Sequence, residues 1–117
     1  VTTKLADHYI MEFHGCSPAL LDDAEFTENT LTEAARQCGA TILNVYTHKF
    51  APQGVTTVIA LSESHMSSHS WPELGSLLCD VCTCGSHIQI DKAVEVIREA
   101  FNPTKHSTIR MDRGTER

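Results

Sequence analysis

Several things are scarce in this chain, and each scarcity removes a class of function. Lys and Arg number nine against fifteen Asp and Glu, giving a formal net charge of -6 and a pI near 5.5. The few bases are scattered singly, whereas neutralising phosphates needs a clustered basic face, so no nucleic-acid partner is expected. Long apolar runs are missing: none approaches the roughly 20 residues that cross a bilayer, and Val1-Thr2-Thr3-Lys4 carries no apolar h-region. No membrane partner is expected either, and the reading is a soluble, cytoplasmic protein. Cysteine is limited to five residues, an odd number, and three of them crowd into Cys79-Asp80-Val81-Cys82-Thr83-Cys84. Such spacing suits chemistry better than a secreted disulfide framework and points to a reducing compartment.

What remains is a chain of ordinary globular composition, 41% hydrophobic and 21% charged, whose 117 residues suffice for one domain and not comfortably for two. His8 to His14 mixes aromatic and apolar residues with polar ones, as a half-buried strand does. From Ala19 to Cys38, apolar Leu20, Leu21, Ala24, Leu31, Ala34 and Ala35 recur at helical steps, and Gly39 follows as a stop signal. Thr41 to Phe50 and Val55 to Leu61 read as a hairpin around Pro52-Gln53-Gly54, and Ser76 to Thr83 as a further strand. Ile90, Ala93, Val94, Ile97 and Phe101 form the stripe of a second helix closed by Asn102-Pro103, and His106 to Met111 is a last short strand. The order β-α-β-β-β-α-β predicts an α+β fold, a two-layer sandwich with two helices on one face of a mainly antiparallel sheet.

Between two of these strands lies a segment of different character. Ser62 to Glu73 packs five serines, two histidines, two glutamates and the only tryptophan into twelve positions. Composition alone admits a polar turn held by hydroxyl hydrogen bonds, with an incidental Trp in the core.

The wording is more specific. Leu61-Ser62-Glu63-Ser64-His65, then His69-Ser70-Trp71-Pro72-Glu73, then Thr83-Cys84-Gly85 resembles the prokaryotic S-adenosylmethionine decarboxylase family, and the resemblance runs from about His8 to Arg113. It implies self-cleavage between Glu63 and Ser64, giving a β-chain, Val1 to Glu63, and an α-chain, Ser64 to Arg117. In such a reaction the Ser64 hydroxyl attacks the preceding carbonyl, and the amide becomes an ester. That conversion is uphill unless a distorted turn and nearby donors assist it. β-Elimination and loss of ammonia then leave a pyruvoyl group, the implied sole cofactor, which forms a Schiff base with the substrate amine and accepts the electrons released with carbon dioxide.

The same resemblance assigns the remaining roles. His69 matches a histidine that assists processing, and Thr56 stands where the family usually has a serine with a similar duty. Cys84 matches the acid that returns a proton to the substrate carbon, a duty suited to a thiol still mostly protonated at neutral pH. Phe50, Trp71, Glu73 and Met66 match substrate-binding positions, the aromatics suiting a sulfonium and an adenine ring and Glu73 the ribose hydroxyls. The alternative for Phe50 and Trp71 is ordinary core packing. A homodimer with active sites near its interface is implied as well, and the product feeds spermidine and other polyamine synthesis.

A structural zinc site is the rival reading of Cys79, Cys82, Cys84 and His87. If Ser76 to Cys84 is a strand, alternation sends Cys79 to one face and Cys82 and Cys84 to the other, so no metal is expected. Cys16, Cys38 and Cys79 read as small buried hydrophobes, and His8, His14, His48, His87 and His106 as surface or satisfied core residues. Thr56 for serine, Ser70 for threonine and Cys82 for an aromatic are departures from the family pattern. They leave two other readings open: a pyruvoyl enzyme acting on arginine or ornithine, and a non-processing binding or regulatory subunit.

Overall fold

A computed structural model describes residues 4–114; the outer ends of the two expected fragments, Val1 and Arg117, lie outside them. Six strands, β1 (Ala6–His14), β2 (Ile42–Lys49), β3 (Val55–Leu61), β4 (Ser64–Trp71), β5 (Ser76–Thr83) and β6 (Lys105–Arg113), form one sheet in the order β2-β3-β4-β5-β1-β6. Every neighbouring pair is antiparallel. Helices α1 (Pro18–Leu21), α2 (Ala24–Gln37) and α3 (Ile90–Phe101) complete the α+β fold.

Strand alternation builds the core. Met11 and Phe13 of β1, Ile59 and Leu61 of β3, and Leu77, Cys79 and Val81 of β5 are buried against Leu31, Ala34 and Ala35 of α2 and Ala93, Ile97 and Phe101 of α3. Phe26 closes on Phe101 edge-to-face at 5.3 Å.

The helix expected from Ala19 to Cys38 is broken in two at Asp22 and Asp23. Asp23 leaves helical geometry to cap α2, its carboxylate accepting the Phe26 N–H at 2.9 Å. Asp22 instead accepts the Gly54 N–H at 2.8 Å and pairs with Lys49 at 3.0 Å, tying the break to the β2–β3 turn. Gly39 does stop the helix: at φ +93 it lets its own N–H reach Arg36 O while Ala40 N–H reaches Ala35 O.

The polar segment departs most from expectation, because Ser64 to Trp71 is a central strand and the sheet therefore has one strand more than predicted. Its alternate residues Met66, Ser68 and Ser70 are buried toward the helices. Ser70 shows how a hydroxyl serves there: Oγ accepts the Val55 N–H at 2.9 Å and donates to Leu21 O at 2.8 Å.

The helices cover only one side of this sheet. Across the other runs a row of register partners from all six strands, Tyr46, Val58, Ser67, Asp80, Ile10 and Ile109. Four of these are apolar or aromatic and exposed, as are Trp71 and Met111 of the same face.

Candidate active site

Leu61 pairs with Ser64, so Ser62 and Glu63 are the two-residue tip of the β3–β4 hairpin. Ser64 carries φ +146, a conformation that costs a residue with a Cβ on the order of 1–3 kcal/mol. Around it the backbone is fastened from several directions. The Glu63 carbonyl, on the expected scissile bond, accepts the Cys84 N–H at 2.9 Å. The Glu63 carboxylate accepts the Thr41 N–H at 3.0 Å and meets His87 Nε2 at 3.1 Å. The Thr41 N–H, with a smaller contribution from His87, holds this carboxyl below the usual range against the opposing effect of burial.

Cys84 follows Thr83, the register partner of Ser64, and its thiol is exposed. A Cβ on Gly85 would lie 2.6 Å from Cε1 of the exposed His87 side chain and 3.1 Å from Glu63 Cγ, so a larger residue there would push His87 away from Glu63.

A second group of expected residues gathers at the far end of the same strands. Phe50, Thr56, His69, Trp71 and Glu73 line one cavity of about 420 Å³. Thr56 and His69 are register partners, and Thr56 Oγ1 stands 3.0 Å from His69 Nδ1, so the added methyl does not prevent the contact a serine would make. Phe50 and Trp71 are 46% and 38% exposed, which removes ordinary core packing as their explanation.

The two groups do not meet within one chain. His69 lies five residues from Ser64 along β4, about 17 Å at strand spacing, and Trp71 seven residues, about 23 Å. Met66 joins neither group: it is fully buried in the helix-side core, because strand alternation turns it away from the open face. Its expected place in a substrate pocket is corrected accordingly.

The cysteines divide as alternation requires, Cys79 buried in the helix-side core and Cys82 on the opposite face. Burial pushes the Cys79 thiol strongly upward, with Asp80 and Cys16 adding to the effect. A different cluster went unread. His8 Nε2 stands 2.6 Å and His65 Nε2 3.5 Å from Asp80 Oδ2, and Ser67 Oγ donates to Asp80 Oδ1. Among the described residues, His8, His65 and Asp80 are the group whose donor atoms gather closely enough, within 4.8 Å, to face a common ion. The direct His8–Asp80 contact, however, has the length of a charge-assisted hydrogen bond and fills the space between them. Only the pairing of β4 with β5 and β5 with β1 assembles these residues, and sequence periodicity does not specify pairing.

Residues 7–114 match the family profile described as S-adenosylmethionine decarboxylase. The chain belongs to the S-adenosylmethionine decarboxylase family. Among relatives named S-adenosylmethionine decarboxylase proenzyme, that of Methanococcus vannielii is 46% identical over 111 residues, covering 95% of this chain and 91% of the relative. The protein of Parasynechococcus marenigrum is 45% identical over 108 residues, covering 92% and 84%. A crystal structure of the adenosylmethionine decarboxylase from Aquifex aeolicus VF5 superimposes with a TM-score of 0.87 at 29% identity, over 96% of this chain and 92% of that one. S-adenosylmethionine decarboxylases are pyruvoyl-dependent carboxy-lyases, and the chain is an enzyme of that class. Among the described residues, no helix is long and apolar enough to cross a membrane.

Proposed function

We propose that this chain is a cytoplasmic proenzyme that cuts itself between Glu63 and Ser64 and then decarboxylates S-adenosylmethionine for polyamine synthesis. The observation that carries the reading is the pairing of a strained Ser64, φ +146, with a Glu63 carbonyl already held by the Cys84 N–H at 2.9 Å. Strain raises the energy of the amide that must break. The N–H is a preorganised donor for the negative charge that grows on the carbonyl oxygen as Ser64 Oγ attacks its carbon.

The residues present fit a group made from Ser64 at this position. Once formed, a pyruvoyl group supplies an electron sink for decarboxylation. The exposed Cys84 thiol, one residue past the register partner of Ser64, supports the role of proton donor to the substrate carbon. Phe50, Trp71 and Glu73 support recognition of the substrate's cationic, aromatic and hydroxyl-bearing parts. No metal is assigned a step.

The distance between the two groups bears on assembly. A substrate joined at Ser64 does not reach a pocket about 23 Å along the same strand. The active site proposed here is therefore shared by a homodimer, in which the open sheet faces meet and the aromatic pocket of one copy serves Ser64 and Cys84 of the other.

The test is a side-by-side assay of carbon dioxide release. S-adenosylmethionine is expected to react faster than arginine or ornithine, and Trp71→Ala to lose activity toward S-adenosylmethionine. A reversed ranking would replace the substrate assignment with one of the amino acids.

A further inference from the structure

We propose that His65 is the base that takes the Ser64 hydroxyl proton during self-cleavage, with Asp80 and His8 as its positioning residues. This inference rests on the self-cleaving reading above and adds to it a residue and a proton path. His69, the histidine expected to assist processing, lies about 17 Å from Ser64 in the same chain. His65 is the imidazole at hand: its Nδ1 stands 3.4 Å from Ser64 Oγ. That is long for a hydrogen bond, as contacts in unreacted sites commonly are.

The charged groups behind His65 favour one of its nitrogens as the site of the proton. Arg113, which can only donate, points Nη1 at His8 Nδ1 at 3.4 Å, so His8 presents its Nε2–H to Asp80 at 2.6 Å. Asp80 Oδ1 accepts from Ser67 Oγ. Burial works against the charged carboxylate, yet these hydrogen bonds and the neighbouring imidazoles hold Asp80 below the usual carboxylate range, so it faces His65 as an acceptor. Asp80 Oδ2 lies 3.5 Å from His65 Nε2, an ion-pair distance rather than a formed hydrogen bond, and its negative charge favours the proton on Nε2, leaving Nδ1 to accept from Ser64. A serine, an imidazole and an orienting carboxylate in this sequence of contacts repeat the logic of an activated hydroxyl nucleophile.

The step balances without a co-reactant. Ser64 Oγ forms a bond to the Glu63 carbonyl carbon as its proton passes to His65 Nδ1. The bond from that carbon to the Ser64 nitrogen then breaks, and the proton on Nδ1 is delivered to the departing nitrogen, leaving an ester and a free amine. The Cys84 N–H holds the carbonyl oxygen throughout. His69, which a second copy of the chain can present, is assigned to the later steps because His65 already contacts the Ser64 hydroxyl within the chain.

The experiment follows cleavage of the full chain in time after cell-free synthesis, on denaturing gels, for the native sequence, His65→Ala, Asp80→Asn and Asp80→Glu. His65→Ala is expected to cleave about 100-fold more slowly, within the range of general acid–base effects, and to be accelerated by added imidazole. Asp80→Asn is expected to slow cleavage by about tenfold or more, with Asp80→Glu recovering most of it. Cleavage of His65→Ala within threefold of the native rate, or a loss that imidazole does not relieve, would overturn the role of His65. Native-rate cleavage of Asp80→Asn would remove Asp80 as its positioning residue. If the native chain itself stays uncut, the self-cleaving reading fails first, so the two failures are distinguishable.

Discussion

Cys84 enters the site through two different atoms, and substitution can separate them. Its backbone N–H holds the Glu63 carbonyl, while its thiol is exposed one residue past Thr83, the register partner of Ser64. Cys84→Ala keeps the first and loses the second, so self-cleavage is expected to proceed within a few-fold of the native rate while turnover falls by about 10²-fold or more. Cys84→Pro removes the N–H itself, and loss of one such donor is expected to slow cleavage by about 10²- to 10³-fold. Cleavage timed on gels and carbon dioxide release check both variants. Normal turnover in Cys84→Ala would contradict the proton-donor role, and normal cleavage in Cys84→Pro would contradict the carbonyl contact.

Among the elements, β4 makes the sharpest lesson, since it is both the strand that sequence reading missed and the one that carries Ser64, His65, His69 and Trp71. Period-two hydrophobicity is the signal for a half-buried strand, and β4 nearly lacks it because its buried positions are Met66, Ser68 and Ser70. Ser70 is tolerated through specific partners, whereas the buried Ser68 hydroxyl has no hydrogen-bond partner among the described residues. Ser70→Ala leaves the Val55 N–H and the Leu21 carbonyl without that partner, a loss expected to cost about 1–3 kcal/mol. Urea unfolding of the variant in a Ser64→Ala background, where the chain stays whole, measures this; a midpoint unchanged from the Ser64→Ala protein would contradict it. The other strands, α3 and the Gly39 stop were legible because their apolar spacing and terminating residues agree. The break at Asp22 and Asp23 was not, because the apolar steps continue across it and only the caps and the Gly54 contact end the first turn. Of the site, the sequence motifs located the hairpin tip and the cavity residues. The His8–His65–Asp80 cluster needed the strand order, and the wide gap between the two groups needed Ser64 to Trp71 to be extended.

Taken as a whole, the molecule presents an uncovered sheet face with exposed Ile10, Tyr46, Val58, Trp71, Ile109 and Met111, and the two groups of candidate residues lie toward opposite ends of β4. A shared active site makes a specific prediction for mixed dimers. Co-expression of Cys84→Ala with His69→Ala is expected to restore roughly a quarter of native activity, since half of the dimers are mixed and each has one site free of both substitutions. No recovery above the two variants assayed separately would place the whole site in one chain. Underlying this and every other expectation is the breakable bond at the hairpin tip. The most direct measurement is the intact mass of freshly folded protein under denaturing conditions. The account predicts two species, one ending at Glu63 and one beginning at the former Ser64 and lighter by one ammonia than the serine-ended fragment. A single uncut chain of 12.9 kDa would contradict it.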